Sequence, residues 1–225
     1  RKIIGNNKSV KYTEIDYDNS IEDIFIEEFK KTCQRINVKP IIIDLEVNDN
    51  IVKDVMTSSK HIGDNRSVYE ESQRIVTKLK ESGFNVLRTK IETVPWHPAA
   101  PTSNGVIDNG CYFESHIGVI ISKEEKERLN ILVNTTLKDK EIIELSGKSK
   151  LSQNFFKKSN SGDKYINMLT YRSVKVGRVD FENEVNKLKD FLNKNGFEFE
   201  KVELEYCLYD TNILQLNLEK QQKFK

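Results

Sequence analysis

Two stretches decide how this chain folds: SVYEESQRIVTKLKESG at Ser67–Gly83 and DFENEVNKLKDFLNKNG at Asp180–Gly196. Each opens on a residue that can cap a helix and carries apolar side chains at helical spacing: Val68, Ile75, Val76 and Leu79 in one, Phe181, Val185, Leu188 and Leu192 in the other. Each then stops at a glycine, the residue favoured where the chain leaves a helix through a left-handed position. Phenylalanine follows both glycines, at Phe84 and Phe197, and leads into a run that reads as a strand. A third apolar stripe, Ile21, Ile24, Phe25, Phe29, Cys33 and Ile36, predicts a helix from Ser20.

Between the helices the strand pattern recurs. Ile41–Val47, Phe84–Val94, Cys111–Ile121, Tyr165–Val174 and Phe197–Leu208 are apolar or alternating runs rich in β-branched and aromatic residues. Weaker strands are expected at Tyr12–Tyr17 and Glu141–Leu145. Ser122-Lys123-Glu124-Glu125 is a capping box opening a further helix through Leu129, Leu132 and Val133. Within the last strand, Val202, Leu204, Tyr206 and Leu208 form an inward face, with Glu203 and Glu205 turned to water. Three connections are irregular: polar segments at 48–66 and 146–164, and a stiff loop from Pro95 to Gly110 holding three of the four prolines and the single Trp96.

The expected fold class is therefore α+β: a mixed or antiparallel sheet of repeated βαβ units, ferredoxin-like and duplicated, with helices mainly on one face. Residues 1–225 are read as one compact domain, with pseudo-repeat halves at 37–145 and 146–212 and a poorly ordered tail at 213–225. The opening Arg1-Lys2-Ile3-Ile4 has neither an initiator methionine nor a signal-peptide core, and reads as a piece of a longer chain.

Composition narrows function without naming it. The 36 Lys+Arg and 35 Asp+Glu leave a net charge of +1, so only a local basic patch could serve nucleic acid. Cys33, Cys111 and Cys207 are odd in number and widely spaced, which speaks against a disulfide framework and a zinc ribbon and points to a reducing, cytoplasmic setting. No apolar run approaches the roughly 20 residues of a membrane-spanning helix. Gly147-Lys148-Ser149 lacks the upstream glycine of a phosphate-binding loop.

The chemistry-bearing residues gather near the proline loop. Glu114 and His116 are two apart on one strand and so share a face, and His97 lies in the adjoining loop. Imidazole titrates near neutrality, which makes Glu114, His116 and His97 the candidate acid–base set. The plainer alternative is a strand whose polar face points at solvent. Arg172, followed by Arg178 in the loop leading to the last helix, is a candidate anion clamp, because helix N-termini and arginines both favour phosphate or carboxylate. Lys157 and Lys158 would complete its rim, unless that segment is simply a solvated loop. Asp44, inside an apolar strand, could pair with Arg172 or His116, or face water.

The phrase Phe113-Glu114-Ser115-His116-Ile117-Gly118-Val119-Ile120 resembles, as an architectural analogy, the His-x-Ser/Thr strands of two-histidine phosphoesterases, which carry one in each duplicated half. Here Gly118 stands where that pattern has a hydroxyl residue, and Leu169-Thr170-Tyr171-Arg172 has no histidine. Only the architecture carries over, and no family is assigned. Two readings of function follow. One is an enzyme hydrolysing or transferring a phosphoester, or acting on another acidic substrate, by His/Glu acid–base chemistry. The other is a non-catalytic module offering its sheet face and Lys-rich loop to a protein or nucleic acid. Neither requires a membrane, no metal or cofactor is assigned, and the oligomeric state is left open.

Overall fold

The computed structural model describes residues 4–11, 19–47, 50–103, 110–136, 150–158, 164–174 and 176–212. The expected strands at Tyr12–Tyr17 and Glu141–Leu145 and the tail at 213–225 lie outside them. The chain is α+β, with antiparallel pairings throughout the registers described and four helices among the described residues. It forms two compact units, each assembled from separated pieces. The first takes residues 1–42, 53–93 and 207–225; the second takes 43–52 and 94–206. These boundaries differ from the halves at 37–145 and 146–212 read along the chain.

The first unit holds β1 (Ile4–Lys11), α1 (Asn19–Arg35), α2 (Asn65–Glu81), the short β4 (His61–Ile62) and β5 (Arg88–Thr93). The start of β2 (Lys39–Val47), most of β3 (Asn50–Ser58) and the end of β9 (Glu198–Asp210) also belong to it. β1 pairs antiparallel with β3, β4 and β5. The expected polar connection at 48–66 is thus largely strand, in which Val55 and Thr57 alternate with Met56 and turn to the buried face. Phe29 and Cys33 of α1 pack with Ile75 and Leu79 of α2 and with Val38, Ile42, Val55 and Phe84. Phe29 and Phe84 meet edge to face at 5.6 Å. Ile24, counted in the apolar stripe of α1, is instead exposed.

The second unit holds β6 (Tyr112–Ile121), α3 (Lys123–Thr136), β7 (Lys150–Lys158), β8 (Tyr165–Ser173), α4 (Arg178–Lys194) and β9 up to Tyr206. Its strand order is β2-β7-β8-β6-β9. The expected Lys-rich loop at 146–164 therefore contains a strand, β7, which pairs with β8 from Lys150↔Thr170 onward. One face of β6 and β8 is apolar: Phe113 and Tyr171 each stack on Phe181 of α4 at 5.3 Å. Burying a side chain such as Phe181 is worth roughly 1.5–3 kcal/mol.

Three helices of 17 residues end alike. At α2 the amide of Gly83 donates to Lys80 O and that of Phe84 to Leu79 O; at α4 Gly196 donates to Asn193 O and Phe197 to Leu192 O. Both glycines have positive φ, +87° and +75°. This is the Schellman arrangement, in which a left-handed residue lets the next amide reach back to an orphan carbonyl. α1 ends the same way on Asn37 (φ 58°), followed by Val38. The helix starts differ from expectation. Asp64, not Ser67, caps α2, its carboxylate accepting from the Ser67 amide at 2.8 Å, and α4 is capped by Gly177 with Asp180 in its first turn. The Ser122 capping box holds: the Ser122 amide donates to Glu125 at 2.8 Å, and the Glu125 amide donates back to Ser122 Oγ at 3.3 Å.

Candidate functional site

The second face of β6 and β8 is ionic. On β6, Tyr112, Glu114 and His116 stand at alternate positions and so project together. The antiparallel register sets Arg172 opposite Glu114 and Thr170 opposite His116. Arg172 Nη2 donates to Glu114 Oε1 at 2.5 Å, and its guanidinium lies 4.6 Å from the centre of the Tyr112 ring. Glu114 is 1% exposed. An isolated carboxylate so buried would be costly, and Arg172 supplies the compensating charge.

His116 sits at the open end of this row. Its Nδ1 lies 2.9 Å from Thr170 Oγ1. Its Nε2 lies 3.9 Å from Glu114 Oε2 and 3.7 Å from Glu205 Oε2. The ring is therefore oriented on one nitrogen by a hydroxyl and presents the other to two carboxylates. An imidazole held in this way can take part in proton transfer through Nε2.

The structure thus gathers Glu114, His116 and Arg172 and adds two residues that sequence reasoning passed over. Thr170 carries no signal of its own in the sequence, standing in a strand without a histidine. Glu205 was read as facing water, yet its carboxylate turns to His116. The alternation in β9 does separate two faces, but alternation alone does not say which face is wet. Arg172 enters as the ion-pair partner of Glu114, the place considered for Asp44. Asp44 pairs through its backbone with Gln153 of β7, and its side chain lies outside those described.

The other expected residues have contacts of their own. His97 is buried at 6% exposure in the proline loop, where its Nδ1 accepts from the Ala99 amide at 3.1 Å. Arg178 opens α4, but that helix start is already engaged: the amides of Arg178 and Val179 donate to the carbonyls of Pro101 and Thr102 at 2.8 and 3.3 Å. The helix N-terminus expected to receive an anion instead receives the proline loop. Gly177 permits this docking, because a Cβ there would collide with the backbone of Ser103. The backbones of Lys157 and Lys158 lie in β7, and their side chains are outside those described.

The first unit carries a charged row of its own. Arg88, Lys90 and Glu92 alternate along β5 and share a face. Lys90 pairs with Glu92, and Arg88 grips Asp210 with two nitrogens, Nε at 2.9 Å from Oδ1 and Nη2 on Oδ2. Lys90, Glu92 and Asp210 are 9%, 2% and 0% exposed. Asp210 also accepts from the Asn212 amide, and Thr211 Oγ1 accepts from the Thr89 amide. The polar turn at Tyr209–Asn212 thus has a structural role.

The chain matches no protein-family model and no curated protein.

Proposed function

We propose that the second unit is an acid–base enzyme acting on a phosphorylated or otherwise acidic substrate, with His116 as the proton-transferring residue. The observation that carries this reading is the setting of His116: Thr170 fixes Nδ1, and Nε2 faces the carboxylates of Glu114 and Glu205 at 3.9 and 3.7 Å. In the reaction His116 Nε2 gives a proton to the leaving oxygen of a phosphoester, or takes one from the attacking nucleophile. Thr170 orients the ring from Nδ1, and Glu114, ion-paired with Arg172, edges the space in which Nε2 meets the substrate. His97 and Arg178 serve to set the proline loop beside α4, which makes them positioning residues in this proposal.

Two coarser expectations belong to the same reading. The three alike helix ends support a duplicated, ferredoxin-like origin for the βαβ units. Cys33, Cys111 and Cys207, which form no disulfide, suit a cytoplasmic protein. Among the described residues no helix is long and apolar enough to cross a membrane.

The test is hydrolysis of 4-nitrophenyl phosphate and bis(4-nitrophenyl) phosphate by the purified chain and by His116→Gln. Loss of about 10²–10⁴-fold in kcat/KM with unchanged circular dichroism supports the reading. Equal rates in both proteins, or none above buffer in either, removes it.

A further inference from the structure

A serine and a histidine meet inside the first unit. His61 stands on the short β4, where pairing with Gly5 of β1 fixes its backbone. Ser67 stands in the first turn of α2, three residues after the Asp64 cap. Ser67 Oγ lies 3.3 Å from His61 Nε2, and both residues are half-buried. An imidazole beside a hydroxyl is the pairing that turns a weak alcohol into a nucleophile, and the contact is often loose before substrate binds.

Three details separate this pair from a helix cap. Capping is already complete through Asp64: its carboxylate accepts from the Ser67 amide at 2.8 Å and its carbonyl from the Val68 amide at 3.1 Å. The Ser67 hydroxyl also lies 3.0 Å from that carbonyl. Rotation about one bond carries its proton from the carbonyl to His61 Nε2, and the carbonyl keeps the Val68 amide. The third detail is Gly63. A Cβ there would collide with Ser67 Oγ and meet His61 Nε2 at 2.9 Å, so a residue without a side chain makes room for the pair.

We propose that Ser67 is a nucleophile activated by His61, and that the pair takes acyl groups from uncharged esters. Nothing in this rests on the reading of His116. Ser67 Oγ bonds to the ester carbonyl carbon while its proton passes to His61 Nε2. The bond to the leaving alcohol oxygen then breaks, and that oxygen takes the proton from Nε2. The products are a free alcohol and acyl-Ser67. Water next attacks the acyl carbon as its proton passes to Nε2, and Ser67 Oγ leaves with that proton as the carboxylic acid is released. Asp64 sets the substrate class. Accepting from the Ser67 amide holds its carboxyl below the usual range, so a negative charge stands beside the nucleophile. Phosphate and carboxylate groups are disfavoured there, and a neutral ester is not.

The experiment treats the full chain with a fluorophosphonate ester probe and locates the adduct by peptide mass spectrometry. Ser67 Oγ should bond to phosphorus as fluoride leaves and His61 Nε2 takes the proton. His61→Gln should slow labelling at least tenfold, and Gly63→Ala, which crowds the pair, should slow it as well. Ser67→Ala retains the Asp64 cap and should remove the adduct without changing circular dichroism. Ser82, at the far end of the same helix with its hydroxyl on Lys78 O at 2.9 Å, should stay unlabelled. With 4-nitrophenyl acetate, wild type should release a burst of 4-nitrophenol that Ser67→Ala lacks. Absence of the Ser67 adduct in wild type overturns the proposal. Equal labelling of Ser67 and Ser82, or labelling that His61→Gln leaves unchanged, overturns it too and makes the contact a clasp between β4 and α2.

Discussion

Arg88 and Asp210, 122 positions apart in the chain, close on each other as a two-point ion pair inside the first unit. Asp210 has no exposed surface, while about a quarter of the Arg88 side chain reaches solvent. Breaking a buried pair from one side strands the remaining charge. Asp210→Ala should therefore cost about 3 kcal/mol, near the lower end for such pairs because Arg88 can rehydrate. Urea denaturation followed by tryptophan fluorescence and circular dichroism reads the loss. A change under about 0.5 kcal/mol would show that the pair contributes nothing net.

Glu114 and Arg172 allow a sharper version of the same experiment. Arg172→Met leaves a carboxylate buried without its countercharge and should destabilise by roughly 3–5 kcal/mol. The double change Glu114→Met with Arg172→Met removes both charges and should recover most of that loss. Equal destabilisation by the single and double variants would mean that shape, not charge, ties these residues together.

Gly177→Ala tests the docking of the proline loop. The added methyl meets the Ser103 backbone, which has no rotamer by which to yield. A loss of at least about 1–3 kcal/mol is expected, as for overpacking a core. Gly118→Ala is the control, since its nearest neighbour is the Ile166 side chain at 3.2 Å, which can shift slightly. Similar midpoints for the two variants in thermal unfolding would contradict the docking argument.

At the left-handed helix ends, Gly83→Ala and Gly196→Ala should each cost about 1 kcal/mol. The sites lie far apart in sequence and in different units, so the double variant should cost the sum within about 0.5 kcal/mol. Asn37→Gly should be neutral or slightly stabilising, because it relieves a strained φ at the same position of α1.

Burial pushes the Cys33 thiol up to about 12. The native state therefore holds that proton more tightly than the unfolded chain, where a thiol titrates near 8.5. Its contribution is complete below that value and disappears as pH rises toward 12. Unfolding midpoints should fall between pH 9 and 11 in wild type and fall less steeply in Cys33→Ala. Iodoacetamide at pH 8 should modify partly exposed Cys111 well before Cys33. Equal labelling of the two would refute the assignment.

Local signals were legible from sequence wherever a single residue type decides the backbone. Gly83 and Gly196 marked two helix ends because a positive φ excludes most other residues. The Ser122–Glu125 box marked a helix start because both partners lie within one turn. Asp64 was harder to see, since Ser67 offered an equally good cap three residues later. The β7 strand was invisible because Lys150–Lys158 is polar, and strand formation there depends on the β8 partner more than on intrinsic preference. Within the candidate site, Glu114 and His116 could be placed on one face by alternation alone. Glu205 could not, since its nearness to His116 depends on which strands are neighbours. Arg88 and Asp210 illustrate the limit most plainly, because no periodicity links residues so far apart.

The interleaving of the two units bears on how the protein is made. Every piece of the second unit has left the ribosome once Tyr206 has emerged, so that unit can consolidate during synthesis. The first unit must wait with its Phe29, Ile75 and Phe84 surfaces already formed, because Asp210, the partner of Arg88, arrives only afterwards. A chain truncated after Tyr206 would thus display one finished unit and one left open, a species suited to capture by chaperones.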